Sequence, residues 1–371
     1  MTRQINQDEL TDIIALLSVP GIGKGRFRRL VMQFGSPSAA LAARPSELEA
    51  VPGISSALAK AIKSDVDLQS AQDMAARVLK LGWIVMTPES AEYPSKLREV
   101  ADAPVLLFRL GEPLPSDART VAIVGTRHPS EKGKRFGKSL AMDLAQSGVT
   151  VVSGMAEGID SAAHAGALDG GGKTVAIWGT SLDIVYPSGN RALAQKIQAN
   201  GAVYSEYLPG TGPEKAYFPE RNKIISGMSE AVIVVEAGLK SGALITADAA
   251  LDQGRDLFAV PGSPDAAMSV GTNHLIKKGA RLLTSAKDLF EELPRLTGKI
   301  VARQFAAIPD LTDAERQMVE LLSDGPMQLD HLSRLTERPV ADLMSFLLAL
   351  ELKGIVQELS GKRFALNAST V

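Results

Sequence analysis

The stretch Val121-Ala-Ile-Val-Gly-Thr-Arg-His-Pro-Ser130 decides the fold. Four apolar residues run without a polar interruption and stop at a glycine. A strand wetted on one face alternates apolar with polar, whereas a strand in a parallel sheet is covered on both faces and reads as a continuous apolar run. The same grammar recurs at Val149–Ser153, Thr174–Trp178, Ala231–Glu236 and Asp256–Val260. Helical stretches lie between, at Gly137 to Gln146 and Ala192 to Ala199. Strands alternating with helices predict βαβ units and a doubly wound parallel sheet. Ligands of such sheets bind beyond the carboxyl ends of the strands, so the loops there are the candidate site.

Four loops carry chemistry. Gly125 to Ser130 pairs a turn glycine with Arg127, whose guanidinium is a fork of donors suited to phosphate. Ser130 is placed to cap the next helix, whose free N–H groups favour an anion. Ser153-Gly154-Met-Ala-Glu-Gly158-Ile-Asp160 is a second glycine-rich turn. In Phe218-Pro-Glu-Arg221-Asn222-Lys223, an aromatic precedes two cations, the pairing that single-stranded nucleic acid uses for bases and phosphates. Glu236 to Ala247 holds Lys240, Ser241 as an N-cap, and Gly242. Each loop alone also reads as an ordinary βα turn. All four together predict one extended phosphate-binding rim.

Composition narrows the chemistry. The 371 residues suggest two or three domains. With no cysteine, disulfides, thiol catalysis and Cys-ligated zinc are excluded. His128, His164, His274 and His331 are scattered; Asp160 and His164 can share a helical face but have no third ligand in view, so neither a metal nor a cofactor is expected. The first loop lacks G-x-G-x-x-G, which argues against a dinucleotide site. Met1 to Leu10 is polar, so no signal peptide is expected. No apolar run reaches the roughly 20 residues of a membrane helix, and a cytoplasmic protein is expected. A net charge of −2 means that any nucleic-acid site is a local basic patch.

At these loops the sequence resembles the DNA-processing protein A (DprA/Smf) family. The resemblance rests on Val-Ala-Ile-Val-Gly-Thr-Arg at 121–127, Ser-Gly-Met-Ala-Glu-Gly-Ile-Asp at 153–160, Phe-Pro-Glu-Arg-Asn-Lys-Ile-Ile-Ser-Gly at 218–227 and Ser-Gly-Ala-Leu-Ile-Thr-Ala at 241–247, in order and spacing. Val260-Pro-Gly262 and Gly271 to Gly279 add to it, and it runs from about Tyr93 to Ala280. It implies an extended Rossmann-like core, single-stranded-DNA binding without catalysis, a homodimer, and loading of the RecA recombinase in natural transformation. Two positions depart from the family pattern: Lys132 stands where an aromatic is frequent, and Lys223 where an arginine is usual. The competing reading is a nucleotide-processing enzyme resembling phosphoribohydrolases; its loop carries a catalytic carboxylate, whereas Ala237 to Ala247 has none and Glu236 precedes it.

The flanks read separately. Residues 1–80 carry two helix-hairpin-helix turns, Val19-Pro-Gly21-Ile-Gly23-Lys24 and Val51-Pro-Gly53-Ile, with helices ending at Ala40-Leu41 and Ala61-Ile62. Gly21, Gly23 and Lys24 are candidates for a phosphate contact, and the pair resembles the family's sterile-alpha-motif-like domain; a helical domain with no DNA role stands beside that reading. Residues 83–295 form the core. Pro294 to Pro309 reads as a linker. Residues 308–371 read as a winged helix, with helices Asp313 to Leu322, Gln328 to Leu335 and Val340 to Lys353 and a hairpin after Gly354. From Asp310 to Leu366 there are ten acidic residues against six basic ones. Phosphates repel such a surface, so a partner-binding or regulatory role is expected there.

Overall fold

The computed structural model describes residues 5–296, 312–323, 327–336, 338–353, 355–359 and 362–366. The greater part of the expected linker, from residue 297, lies outside them. Two compact units divide near residue 297, and each is described by itself.

The first unit is built on a nine-stranded sheet: β1 Ile84–Met86, β2 Leu107–Gly111, β3 Thr120–Val124, β4 Thr150–Ser153, β5 Thr174–Ile177, β6 Ala202–Ser205, β7 Ala231–Val234, β8 Asp256–Ala259 and β9 Arg281–Leu282. The spatial order is β1-β2-β6-β5-β4-β3-β7-β8-β9. From β6 to β9 all neighbours are parallel; β2 and β1 join antiparallel. The five continuous apolar runs are β3, β4, β5, β7 and β8. Every residue of β3, β4, β5 and β7 is buried, as strands covered on both faces must be. The first run crosses over at β3: the chain leaves it through β4, β5 and β6, then returns to β7 on the other side. That reversal opens a crevice at the carboxyl ends of β3 and β7.

The N-terminal helices are Gln7–Ser18, Lys24–Phe34, Pro37–Ala42, Pro45–Glu49, Ser56–Ser64 and Leu68–Lys80. The helical stretch expected to end at Ala40-Leu41 ends at Ala42, but as two helices, the first stopping at Phe34. Gly35 adopts φ +83°, and Ser36 accepts from the amide of Ala39 to start a new helix at Pro37. The helices do not float beside the sheet. Leu10, Leu30 and Val78 share one hydrophobic cluster with Trp83, Phe108 and Trp178.

The second unit has helices Asp313–Ser323, Leu329–Thr336 and Val340–Leu352, with strands β10 Met327–Gln328, β11 Val356–Leu359 and β12 Arg363–Leu366. The strands form an antiparallel sheet in the order β10-β12-β11. Gln328, expected to start a helix, is in β10. Met318, Leu332, Leu343, Leu347 and Phe364 form the core. This is a winged helix. No described helix is long and apolar enough to cross a membrane.

Candidate nucleic-acid interface

The loops after β3, β4 and β7 are stitched together over the crevice. The amide of Thr126 donates to the carbonyl of Glu236 at 2.7 Å, and the amide of Ile159 donates to that of Thr126 at 3.3 Å. A Cβ on Gly125 would stand 2.6 Å from Ile159 Cγ1. Gly158 adopts φ +85°, and a Cβ there would press on the carbonyls of Thr126 and Arg127. Glycine at both positions is thus a condition for the loops to meet.

The resulting cleft, about 870 Å³, gathers Gly125, Arg127, Phe218, Arg221, Asn222, Lys240, Ser241 and Gly242. Arg127 and Lys240 are exposed. Ser241 caps helix Gly242–Asp252, accepting from the amide of Ala243 at 3.3 Å, so a helix N-terminus faces the cleft beside Lys240 and favours an anion. Asn222 Nδ2 donates to the carbonyl of Gly242 at 3.2 Å and joins helix Tyr217–Gly227 to that loop. Phe218 sits in a cationic and aromatic cluster. The guanidinium of Arg127 lies 5.3 Å from its ring centroid, that of Arg221 5.8 Å, and the ring of Tyr186 5.6 Å.

Several expected residues, Arg221 at the cleft floor among them, lie behind or beside this surface. Arg221 is only 5% exposed. Its Nη1 donates to the carbonyls of Gly154 and of Ile177, and its Nε to Asn222 Oδ1 at 3.1 Å. It holds the second loop from within. Asp160, also buried, accepts from the amide of Gly154 at 3.1 Å. Burial pushes its carboxyl up to about 6 against the pull of the Arg221 guanidinium and the surrounding amides, and burial lowers Arg221 to about 10. Ser153 donates to the carbonyl of Ile123 and is fully buried. Gly154 lines a smaller cavity of about 80 Å³ under Arg127 and Phe218. Ser130 caps helix Glu131–Gln146, and its amide and hydroxyl both donate to the Glu236 carboxylate, at 2.8 and 2.6 Å. Lys223 points elsewhere, pairing with Glu220 at 3.0 Å and Asp102 at 3.7 Å; the Glu220 hydrogen bond raises its pKa.

In the first hairpin Gly21 and Gly23 are exposed. Lys24 is turned to Glu206 and Glu220, at 2.7 and 3.6 Å. His164 is wholly buried; Thr174 Oγ1 donates to the carbonyl of Val151 and accepts from His164 Nδ1 at 2.7 Å. Burial holds its imidazole neutral by lowering its pKa to about 3. Among the described residues no three His, Cys, Asp or Glu side chains are grouped as a metal would need.

The cleft also contains residues that the sequence reading did not single out: Tyr186, Lys215 and Thr246. Tyr186 follows β5, and the rule that function sits after strand ends already pointed to that loop. Lys215 had no motif to mark it.

Comparison with known proteins agrees with the architecture. The family described as DNA recombination-mediator protein A matches residues 84–294, the DprA winged helix domain residues 303–362, and the SAM-like helix-hairpin-helix tandem residues 13–66. Protein Smf of Synechocystis is 34% identical over 95% of this chain and 97% of its own length. DNA processing protein DprA of Streptococcus pneumoniae is 46% identical over 54% of this chain and 71% of its own. Its X-ray structure superposes with a TM-score of 0.66 at 34% identity, covering 78% of this chain and 99% of that one. The Helicobacter pylori DNA processing protein A, whose structure is described by its single-stranded-DNA binding mode, superposes with a TM-score of 0.52 at 30% identity over 58% of this chain and 97% of that one. With a crevice at the β3–β7 reversal, hairpin helices before it and a winged helix after it, this chain belongs to the DNA recombination-mediator protein A (DprA/Smf) family.

Proposed function

We propose that the protein binds single-stranded DNA without turning it over. Strand phosphates run along Arg127, Lys240 and the N-terminus of helix Gly242–Asp252, and a base stacks at Phe218. The observation that carries this reading is the placement of Arg127 over the Phe218 ring in an open cleft, where one cation and one aromatic serve the two halves of a nucleotide. Arg221, Asn222, Ser153, Gly154 and Gly158 shape the cleft. Glu236 is engaged by Ser130 rather than free in the cleft, which favours binding over hydrolysis. On the family's pattern, the protein acts in the cytoplasm as a homodimer and loads RecA recombinase onto DNA taken up in natural transformation.

The test is a titration of fluorescent oligo-dT, with duplex, AMP and NAD as competitors. Oligo-dT is expected to bind most tightly and no nucleotide to be hydrolysed. Equal affinity for duplex, or turnover of AMP, overturns the reading. RecA loading is read separately, as strand exchange started by the protein on single strands already coated by a single-strand-binding protein.

A further inference from the structure

We propose that Lys24, a residue of the first hairpin, is a positioning residue of the cleft. It bridges Glu206, just after β6, and Glu220, on helix Tyr217–Gly227, and so fixes the helix that carries Phe218 and Asn222. The inference rests on the single-stranded-DNA reading above.

Hairpin cations are expected to face a phosphate; here they face the protein. Lys24 Nζ lies 2.7 Å from Glu206 Oε2 and 3.6 Å from Glu220 Oε2, with the Glu206 side chain only 9% exposed. Arg28 donates to the carbonyls of Ala101 and Ala103. Arg26 donates to the carbonyls of Gly21 and Gly53 and binds one hairpin to the other. From Glu220 the chain of charge continues to Lys223 and on to Asp102. Three carboxylates and two ammonium groups leave this chain net negative, a poor surface for phosphate. It is a good strut: it ties a helix of the N-terminal group to the helix whose opposite side lines the cleft. Gly23 and Lys24 also line, with Leu106, Glu206 and Tyr217, a gap of about 300 Å³ between the two groups of elements. The Lys24 bridge spans that gap where apolar packing does not close it.

Phosphate contact and positioning differ in what they do to salt dependence. A lost phosphate contact flattens the slope of log affinity against log salt by about 0.7; a shifted helix lowers affinity with the slope kept. The experiment uses the full chain with Lys24→Met, Lys24→Arg and Glu206→Gln. It measures oligo-dT affinity across salt and, without DNA, amide hydrogen exchange in helix Tyr217–Gly227. Lys24→Met and Glu206→Gln are expected to weaken oligo-dT by about three- to tenfold at unchanged slope, a shift of about 0.7–1.4 kcal/mol by the tenfold-per-1.4 conversion, and to speed exchange in that helix; Lys24→Arg is expected to restore both. The proposal is overturned if Lys24→Met flattens the slope with exchange unchanged. It is overturned equally if Glu206→Gln tightens binding by releasing the lysine, or if no variant moves either readout. If the wild type fails to bind oligo-dT, the proposed function falls, and the exchange measurement alone still decides what Lys24 does.

Discussion

Glu236 places its carboxylate at the N-terminus of helix Glu131–Gln146, where the amide and hydroxyl of Ser130 both donate to it. The anion that this helix start invites is therefore already present in the chain. Of the two serine-capped starts in these loops, that of helix Gly242–Asp252 opens on the cleft. Glu236→Gln keeps the shape and removes the charge. It is expected to cost about 0.3–1 kcal/mol of stability, the range for a carboxylate at a helix start, and to leave oligo-dT affinity nearly unchanged. Urea unfolding and a binding titration on the same preparation check both; a large loss of binding would return Glu236 to the functional surface.

Arg127 and Lys240 are exposed cations on the cleft, whereas Lys223 is held by Glu220 and Asp102. A charge-assisted contact is worth about 1.5–3 kcal/mol, so Arg127→Ala is expected to weaken oligo-dT by about ten- to hundredfold and to flatten the salt slope by about 0.7. Lys240→Ala should act in the same direction. Lys223→Ala is expected to do much less. Salt titrations of the three variants, ranked side by side, check the order.

Phe218 and Tyr186 approach to 5.6 Å between ring centroids. A base stacked on an aromatic is worth about 1–3 kcal/mol. Phe218→Ala should lose that amount with the salt slope unchanged, and Tyr186→Ala a part of it. An oligomer of abasic sugar-phosphates should bind both variants as it binds the wild type. If Phe218→Ala weakens the abasic strand equally, the ring acts on packing and not on bases.

Two buried groups set opposed pH dependences. Burial raises Asp160 from 3.8 to about 6, so the folded state holds the extra proton between those values and loses that stabilisation as pH rises through 6. Burial lowers His164 from 6.5 to about 3, so below 6.5 the unfolded state takes the proton and stability falls as pH falls. Between pH 4 and 6 the two contributions offset each other. His164→Gln is expected to unmask the first, giving a stability that declines with rising pH by up to about 1.4 kcal/mol per unit. Denaturant midpoints at pH 4, 5 and 6 read the sign directly, and a wild-type slope retained by the variant would contradict it.

The central strands were legible because burial on both faces leaves a continuous apolar run, as at Val121–Val124 and Ala231–Val234. β1, β2, β6 and β9 were not: β6, Ala202-Val-Tyr-Ser205, has Val203 as its one branched aliphatic residue, and β9 is two exposed residues, Arg281 and Leu282. The loops were legible as glycine and cation motifs, and most of their residues meet in one cleft. What the motifs hid is direction. Arg221 and Lys223 look equivalent in the sequence, yet two residues along a helix turn the side chain by about 200°. One is driven under Gly154 and the other out to Asp102. The partners that fix these directions, Gly154 and Ile177 for Arg221 and Asp102 for Lys223, come from distant segments and carry no local signature. The same holds for Glu236, which reads as a free strand-end acid until the loop after β3 folds over it.

The hydrophobic cluster shared by the N-terminal helices and the sheet bears on how this protein can be inherited. Residues 13–66 and 84–294 match separate sequence families, which invites the view of interchangeable modules. Yet Trp83 and Phe108, whose rings approach to 5.5 Å, share one interior with Leu10, Leu30 and Val78. A descendant that lost the first 80 residues would carry that interior into water as an adhesive face. Shuffling at this boundary is therefore costly unless a replacement arrives with the same apolar footprint, and the two halves are tied by a wetting constraint that neither family's motifs express.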